Sequence, residues 1–230
     1  MCSKAAVLAG VVAIALLLGV PALAHAISED NASYVQALDG PAVAAFTYLG
    51  AKHMVTGVDH LLFLVGVVFF LHRLKDVVLY VSLFTLGHSI TLLAGVLGEL
   101  TVDAYLVDAI IGLSVAYKAF ENMGGFERLF GRSPNTRWAV LVFGLFHGLG
   151  LATKVQELYL ADDGLLINLV SFNVGVELGQ FAALAGVVGV LAWWRRQPTF
   201  ERSAFGLNTV LLALGFLLTQ YQLAGWWLQG

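Results

Sequence analysis

The sequence predicts an all-α fold, a polytopic membrane bundle of six transmembrane helices behind an N-terminal signal peptide. Three observations carry this reading. Apolar residues make up 59% of the 230-residue chain and charged residues only 12%, where a soluble domain carries about 25%. Apolar stretches long enough to cross hydrocarbon, about 20 residues each, recur along the chain. Basic residues gather on alternate connections between those stretches.

Residues 1–24 read as the signal peptide. Lys4 supplies the positive start, "AAVLAGVVAIALLLGV" the apolar run, and "PALA" the small residues of a cleavage site, Ala22 and Ala24. Cleavage after Ala24 is expected, leaving His25 as the mature N-terminus; retention as an uncleaved anchor is the alternative. Cys2 is the single cysteine, so a processed chain has no thiol for disulfides or thiolate ligation. Residues 25–53 form an N-terminal segment ending in "PAVAAFTYLGAKH" (41–53), read either as a short interfacial helix or as an extension of the first span. The transmembrane domain occupies 54–230, with spans expected at 54–72, 76–98, 104–123, 137–154, 165–194 and 204–228. The fifth is long enough to tilt or to project past the bilayer.

With a cleaved signal the mature N-terminus faces the periplasm. The inner connections then hold Arg73 and Lys75, then Arg128, Arg132 and Arg137, then Arg195, Arg196 and Arg202. The outer side holds Glu29, Asp30, Asp39, Glu99, Asp103, Glu157, Asp162 and Asp163, with Lys52 and Lys154. That asymmetry is the positive-inside pattern. Trp193, Trp194, Trp226 and Trp227 fall at span ends, where an aromatic belt sits. A basic patch interleaved with aromatics is missing, which argues against nucleic acid as a partner; the partner the composition demands is the lipid bilayer.

An ionisable side chain inside a span costs roughly 2.5–3.5 kcal/mol on insertion scales, so it faces the bundle interior and finds a partner. Asp59 and His60 fall in the first span, nearer its outer side. His88 lies in the second, Asp108, Lys118 and Glu121 in the third, His147 in the fourth and Glu177 in the fifth. Lys118 and Glu121, three apart, suit a structural ion pair. Asn173, Glu177 and Gln180 share a helix face, as do Thr85, His88 and Thr91. His53 and His60 lie two turns apart on one stripe if their helix is continuous. Gly144 and Gly148 bracket His147, and Gly175 and Gly179 bracket Glu177, at the spacing that lets helix backbones approach closely.

Imidazole and carboxylate converging in an apolar bundle suit a divalent transition metal. Asp59, His60, His88, His147 and Glu177 are the candidate metal ligands; His25, His53, Asn173 and Asp108 rank behind them. His25 would chelate through its ring and a free α-amino group. Each residue also has a plain structural reading, since intramembrane polar groups tie helices together by hydrogen bonds worth about 0.6 kcal/mol each.

The motifs "GVDHLLFL", "FTLGHSITLL", "VDAIIGLSVAYKAFEN", "FGLFHGLGLA" and "FNVGVELGQ" resemble, in order, the signatures of HupE/UreJ-type membrane proteins. The resemblance runs from Gly57 to Gln180 and departs from the pattern at Asp108, where glutamate is usual, and at Gly87, where alanine is. It implies a bacterial inner-membrane location, Asp59, His60, His88, His147 and Glu177 as the characteristic polar positions, and a role as nickel permease or nickel-supply accessory beside metalloenzyme maturation machinery. "HMVTGVDH" is also similar in chemistry to the H-x4-D-H signature of a separate nickel/cobalt permease family, with one more residue in the spacing.

The sequence reading is therefore a permease or supply factor for a divalent transition metal, nickel first and zinc, cobalt or copper next, and not an enzyme. No phosphate-binding loop suggests ATP coupling. Two alternatives stay open on the same residues: an intramembrane metal-dependent hydrolase and a non-transporting membrane accessory protein.

Overall fold

The computed structural model describes residues 40–156 and 164–229, and these are helical with short connections. The signal segment, His25 and residues 157–163, with Glu157, Asp162 and Asp163, lie outside the described residues. In chain order the helices among the described residues are α1 (Val43–Thr56), α2 (Val58–Val68), α3 (Leu74–Leu97), α4 (Ala104–Asn122), α5 (Gly125–Phe130), α6 (Thr136–Gln156), α7 (Leu165–Trp194) and α8 (Phe200–Gln229).

The helix ends follow local chemistry. Asp103 caps α4 by accepting from the Leu106 N–H at 3.1 Å. The short α5 sits between Gly124 and Gly131, both with positive φ, a conformation glycine adopts without steric cost. Arg195, just past α7, donates to the carbonyls of Leu71 at 2.8 Å and of Val68 and Phe69 at 2.6 Å each. It thereby closes the C-terminal end of α2, where carbonyls lack helical partners and a cation is favoured. Burial lowers the pKa of this guanidinium, which nevertheless remains a cation. At the opposite end of α7, Asn168 accepts from the Ala42 N–H at 2.7 Å and donates to the Gly40 carbonyl at 3.1 Å, fixing the start of α1.

The long helices pack chiefly in three pairs: α1 with α7, α3 with α6, and α4 with α8. The glycine spacing read from the sequence operates here. A Cβ at Gly148 would stand 2.0 Å from the His88 carbonyl oxygen, and one at Gly175 would stand 2.0 Å from that of Thr47. Only a bare backbone permits such approaches. The pair α4–α8 is tied by Thr219 Oγ1 donating to the Ala109 carbonyl at 3.3 Å and Asn122 donating to Asn208 at 3.0 Å.

Among the described residues four helices are long and apolar enough to cross a membrane: α3, α6, α7 and Phe200–Leu228 of α8. These correspond to the second, fourth, fifth and sixth expected spans. The first expected span is not one continuous helix. It is the pair α1 and α2, bent by 65° at Gly57, which qualifies only if taken as a single broken span. The third is helix α4, which carries Asp108, Lys118 and Glu121 within its 19 residues and so falls outside that set by composition. Its charges are paired: Lys118 Nζ lies 3.0 Å from Glu121 Oε2, as the i,i+3 spacing suggested, and Asp108 Oδ2 lies 3.0 Å from Lys154 Nζ of α6.

Candidate metal site

The bend at Gly57 builds the site. Gly57 ends α1, its N–H donating to the His53 carbonyl at 2.9 Å, and α2 starts at the next residue. A Cβ here would lie 2.9 Å from His60 Nδ1 and 3.1 Å from the His53 carbonyl oxygen, so the side chains of the site close directly over this glycine. On a continuous helix His53 and His60, seven residues apart, would be separated by about 10 Å along the axis. Across the bend their rings stand 5.1 Å apart. His53, ranked behind the principal candidates, thus joins them because the helix is broken.

Around His60 the other donors gather. Its ring centroid lies 4.8 Å from that of His147 and 6.1 Å from that of His88, and its Nδ1 lies 3.2 Å from Asp59 Oδ1. Asp59 and His60, expected nearer the outer side, therefore sit at the level of His88 and His147. The reason is the depth of α1, which runs alongside α7 with Thr47 against Gly175 and Ala51 against Gly179. It carries the break well inside that 30-residue helix, away from its ends. Asp59, His60, His88 and His147 are at most 1% exposed; His53 is half-buried.

Among the described residues two overlapping sets of donors have one ligand atom per residue within 4.8 Å of the others: His53, His60 and His88, and Asp59, His60 and His147. His60 belongs to both. Ligands about 2 Å from a shared ion lie within about 4 Å of each other, so either set closes on a cation through side-chain shifts of about an ångström. Neutral imidazoles with one carboxylate are a donor set for a first-row divalent ion. Asn173 stands beside His88, but neither ring nitrogen of His88 makes a well-formed hydrogen bond among the described residues. Phe63 and Phe84 wall the cluster, with ring centroids 5.4 and 5.0 Å from that of His147. Low polarity there strengthens electrostatic attraction to a cation.

The remaining sequence candidates among the described residues belong to neither set. Glu177 is exposed on the outer face of α7 and is not part of either set. Asn173 accepts from Ser89 at 3.0 Å and Gln180 from Thr85 at 2.5 Å, so this polar face of α7 ties α7 to α3. Asp108 is engaged by Lys154, with Gln222 at 3.5 Å. His25 lies outside the described residues. The sequence reading passed over the break at Gly57, although a glycine inside an apolar helical pattern next to Asp59 and His60 was the signal for it. It also passed over Ser114, whose Oγ lies 3.3 Å from His147 Nε2.

Fold and site together define a helical membrane protein with a buried histidine–aspartate cluster at a helix break. The family model for HupE / UreJ protein matches residues 29–230, and the chain belongs to that family. Comparison with curated proteins and with solved structures gives no match.

Proposed function

We propose that this protein is an inner-membrane permease or supply factor for a divalent transition metal, nickel before zinc, cobalt or copper. The observation that carries the proposal is the pair of overlapping ligand sets sharing His60 at the break between α1 and α2. Broken helices near the bilayer midplane are where transporters place their ion sites, because irregular backbone is tolerated only where it lines a site.

The reading assigns six spans, counting α1–α2 as the first and α4 as the third. A signal peptide is removed after Ala24, and the mature N-terminus is periplasmic. Membership of the HupE/UreJ family supports metal transport or an accessory role in metal supply. The half-buried His53 is the member of the cluster nearest the surface. An ion exchanges its water for His53, His60 and His88, then passes to Asp59, His60 and His147 without leaving the shared imidazole. The carboxylate in the second set favours a dication there. Inward movement gains about 2.3 kcal/mol per charge per 100 mV of membrane potential, and twice that for a divalent ion, so the reading needs no nucleotide. Metalloenzyme maturation machinery receives the ion on the cytoplasmic side. The protein transfers the ion and catalyses no bond cleavage.

Uptake of labelled nickel by cells producing the wild-type chain or His88→Ala tests the proposal. Uptake lost in the variant at equal protein level is the expected result; equal uptake would defeat it.

A further inference from the structure

Helix α4 supplies no ligand to either set, yet one of its side chains reaches the cluster. Ser114 is fully buried, and its hydroxyl oxygen contacts two groups: the Ile111 carbonyl oxygen at 2.6 Å and His147 Nε2 at 3.3 Å. A serine hydroxyl has one hydrogen to donate. The Ile111 carbonyl can only accept, and it is the nearer group, so it takes that hydrogen. Towards His147 the hydroxyl then offers only lone pairs, and the imidazole must be the donor. A neutral imidazole carries one N–H, and the hydrogen bond at one nitrogen decides what the other presents.

We propose that Ser114 is a positioning residue for the metal site: it holds His147 as the Nε2–H tautomer and leaves the Nδ1 lone pair for a cation shared with Asp59 and His60. This inference rests on the metal-binding reading of the cluster. It gives the pair α4–α8 a part in a site otherwise built by the other helices. It also addresses a competition within the second set. Asp59 is the strongest acceptor there and would draw the imidazole hydrogen towards itself, turning a ligand nitrogen into a donor. The Ser114 hydroxyl opposes that by accepting from Nε2. Outer hydrogen bonds of this kind change metal affinity by about 10- to 100-fold when removed.

The test uses the full chain in lipid nanodiscs, stripped of metal and labelled with ¹⁵N at histidine, with His147 assigned by its loss in His147→Gln. The wild type is expected to show His147 with hydrogen on Nε2. In Ser114→Ala the population moves towards Nδ1–H and nickel affinity, read by calorimetry, falls about 10- to 100-fold; Ser114→Thr, which keeps the hydroxyl, restores both. A wild-type His147 with hydrogen on Nδ1 overturns the inference without recourse to any variant, as does Ser114→Ala with unchanged tautomer and unchanged affinity. A wild type that binds no nickel overturns the metal reading itself, a separate outcome because the tautomer is read without metal.

Discussion

Replacing His60 with alanine probes the feature that makes this cluster more than a group of polar side chains, namely one imidazole serving two ligand sets. Structural metal sites with four protein ligands bind with about 10–16 kcal/mol, or roughly 2.5–4 kcal/mol per ligand. Losing one ligand then weakens binding by roughly 100- to 1000-fold. His60→Ala takes a ligand from both sets, leaving His53 with His88 and Asp59 with His147, and the full loss is expected. His53→Ala leaves the set of Asp59, His60 and His147 complete, so it should stay within about tenfold of wild-type affinity. Competition with a chelator of known nickel affinity measures wild type and both variants in detergent. Thermal melting monitors the cavity left by removing a ring that is 1% exposed. The reasoning is refuted if His60→Ala, still folded, binds as tightly as His53→Ala.

Other perturbations separate parts of the account. Glu177→Gln should leave nickel affinity of the purified protein unchanged, since the side chain is exposed on α7 away from both sets; a loss like that of His60→Ala would place it in the site. Gly148→Ala forces a methyl to within 2.0 Å of the His88 carbonyl oxygen, which should cost about 1–3 kcal/mol in stability and lower nickel affinity by moving His88; a melting curve unchanged from wild type would count against the close packing of α3 on α6. Arg195→Met should destabilise by about 2–3 kcal/mol, because three carbonyls at the end of α2 lose a charged donor. Its nickel affinity should be kept, as measured by chelator competition alongside denaturation.

Much of the buried cluster was legible because polar groups in hydrocarbon are costly. Asp59, His60, His88 and His147 stand out in apolar spans for that reason alone, and the structure gathers all four. What periodicity cannot give is the direction in which a shared face points. Asn173, Glu177 and Gln180 do share a face, but at about 100° per residue Gln180 lies roughly 60° around the helix from Glu177. That offset is enough to bury Gln180 against Thr85 while leaving Glu177 outside. His53 was undervalued for the opposite reason: a continuous helix holds it a full two turns from His60, and Gly57 breaks that helix. Lys118 and Glu121 were legible as a local pair. The partnership of Asp108 with Lys154 spans 46 positions and depends on the packing of α4 against α6, which no local pattern encodes. The expected continuous first span gave way to a bent pair because hydropathy reports apolar length and is blind to a glycine over which side chains close.

X-ray absorption at the nickel edge, on purified protein loaded with one equivalent of Ni²⁺, tests the central claim most directly. The account expects nitrogen and oxygen neighbours with the multiple-scattering signature of imidazole rings, reduced in His60→Ala. A spectrum of water oxygens alone, or protein that retains no nickel after desalting, would contradict it.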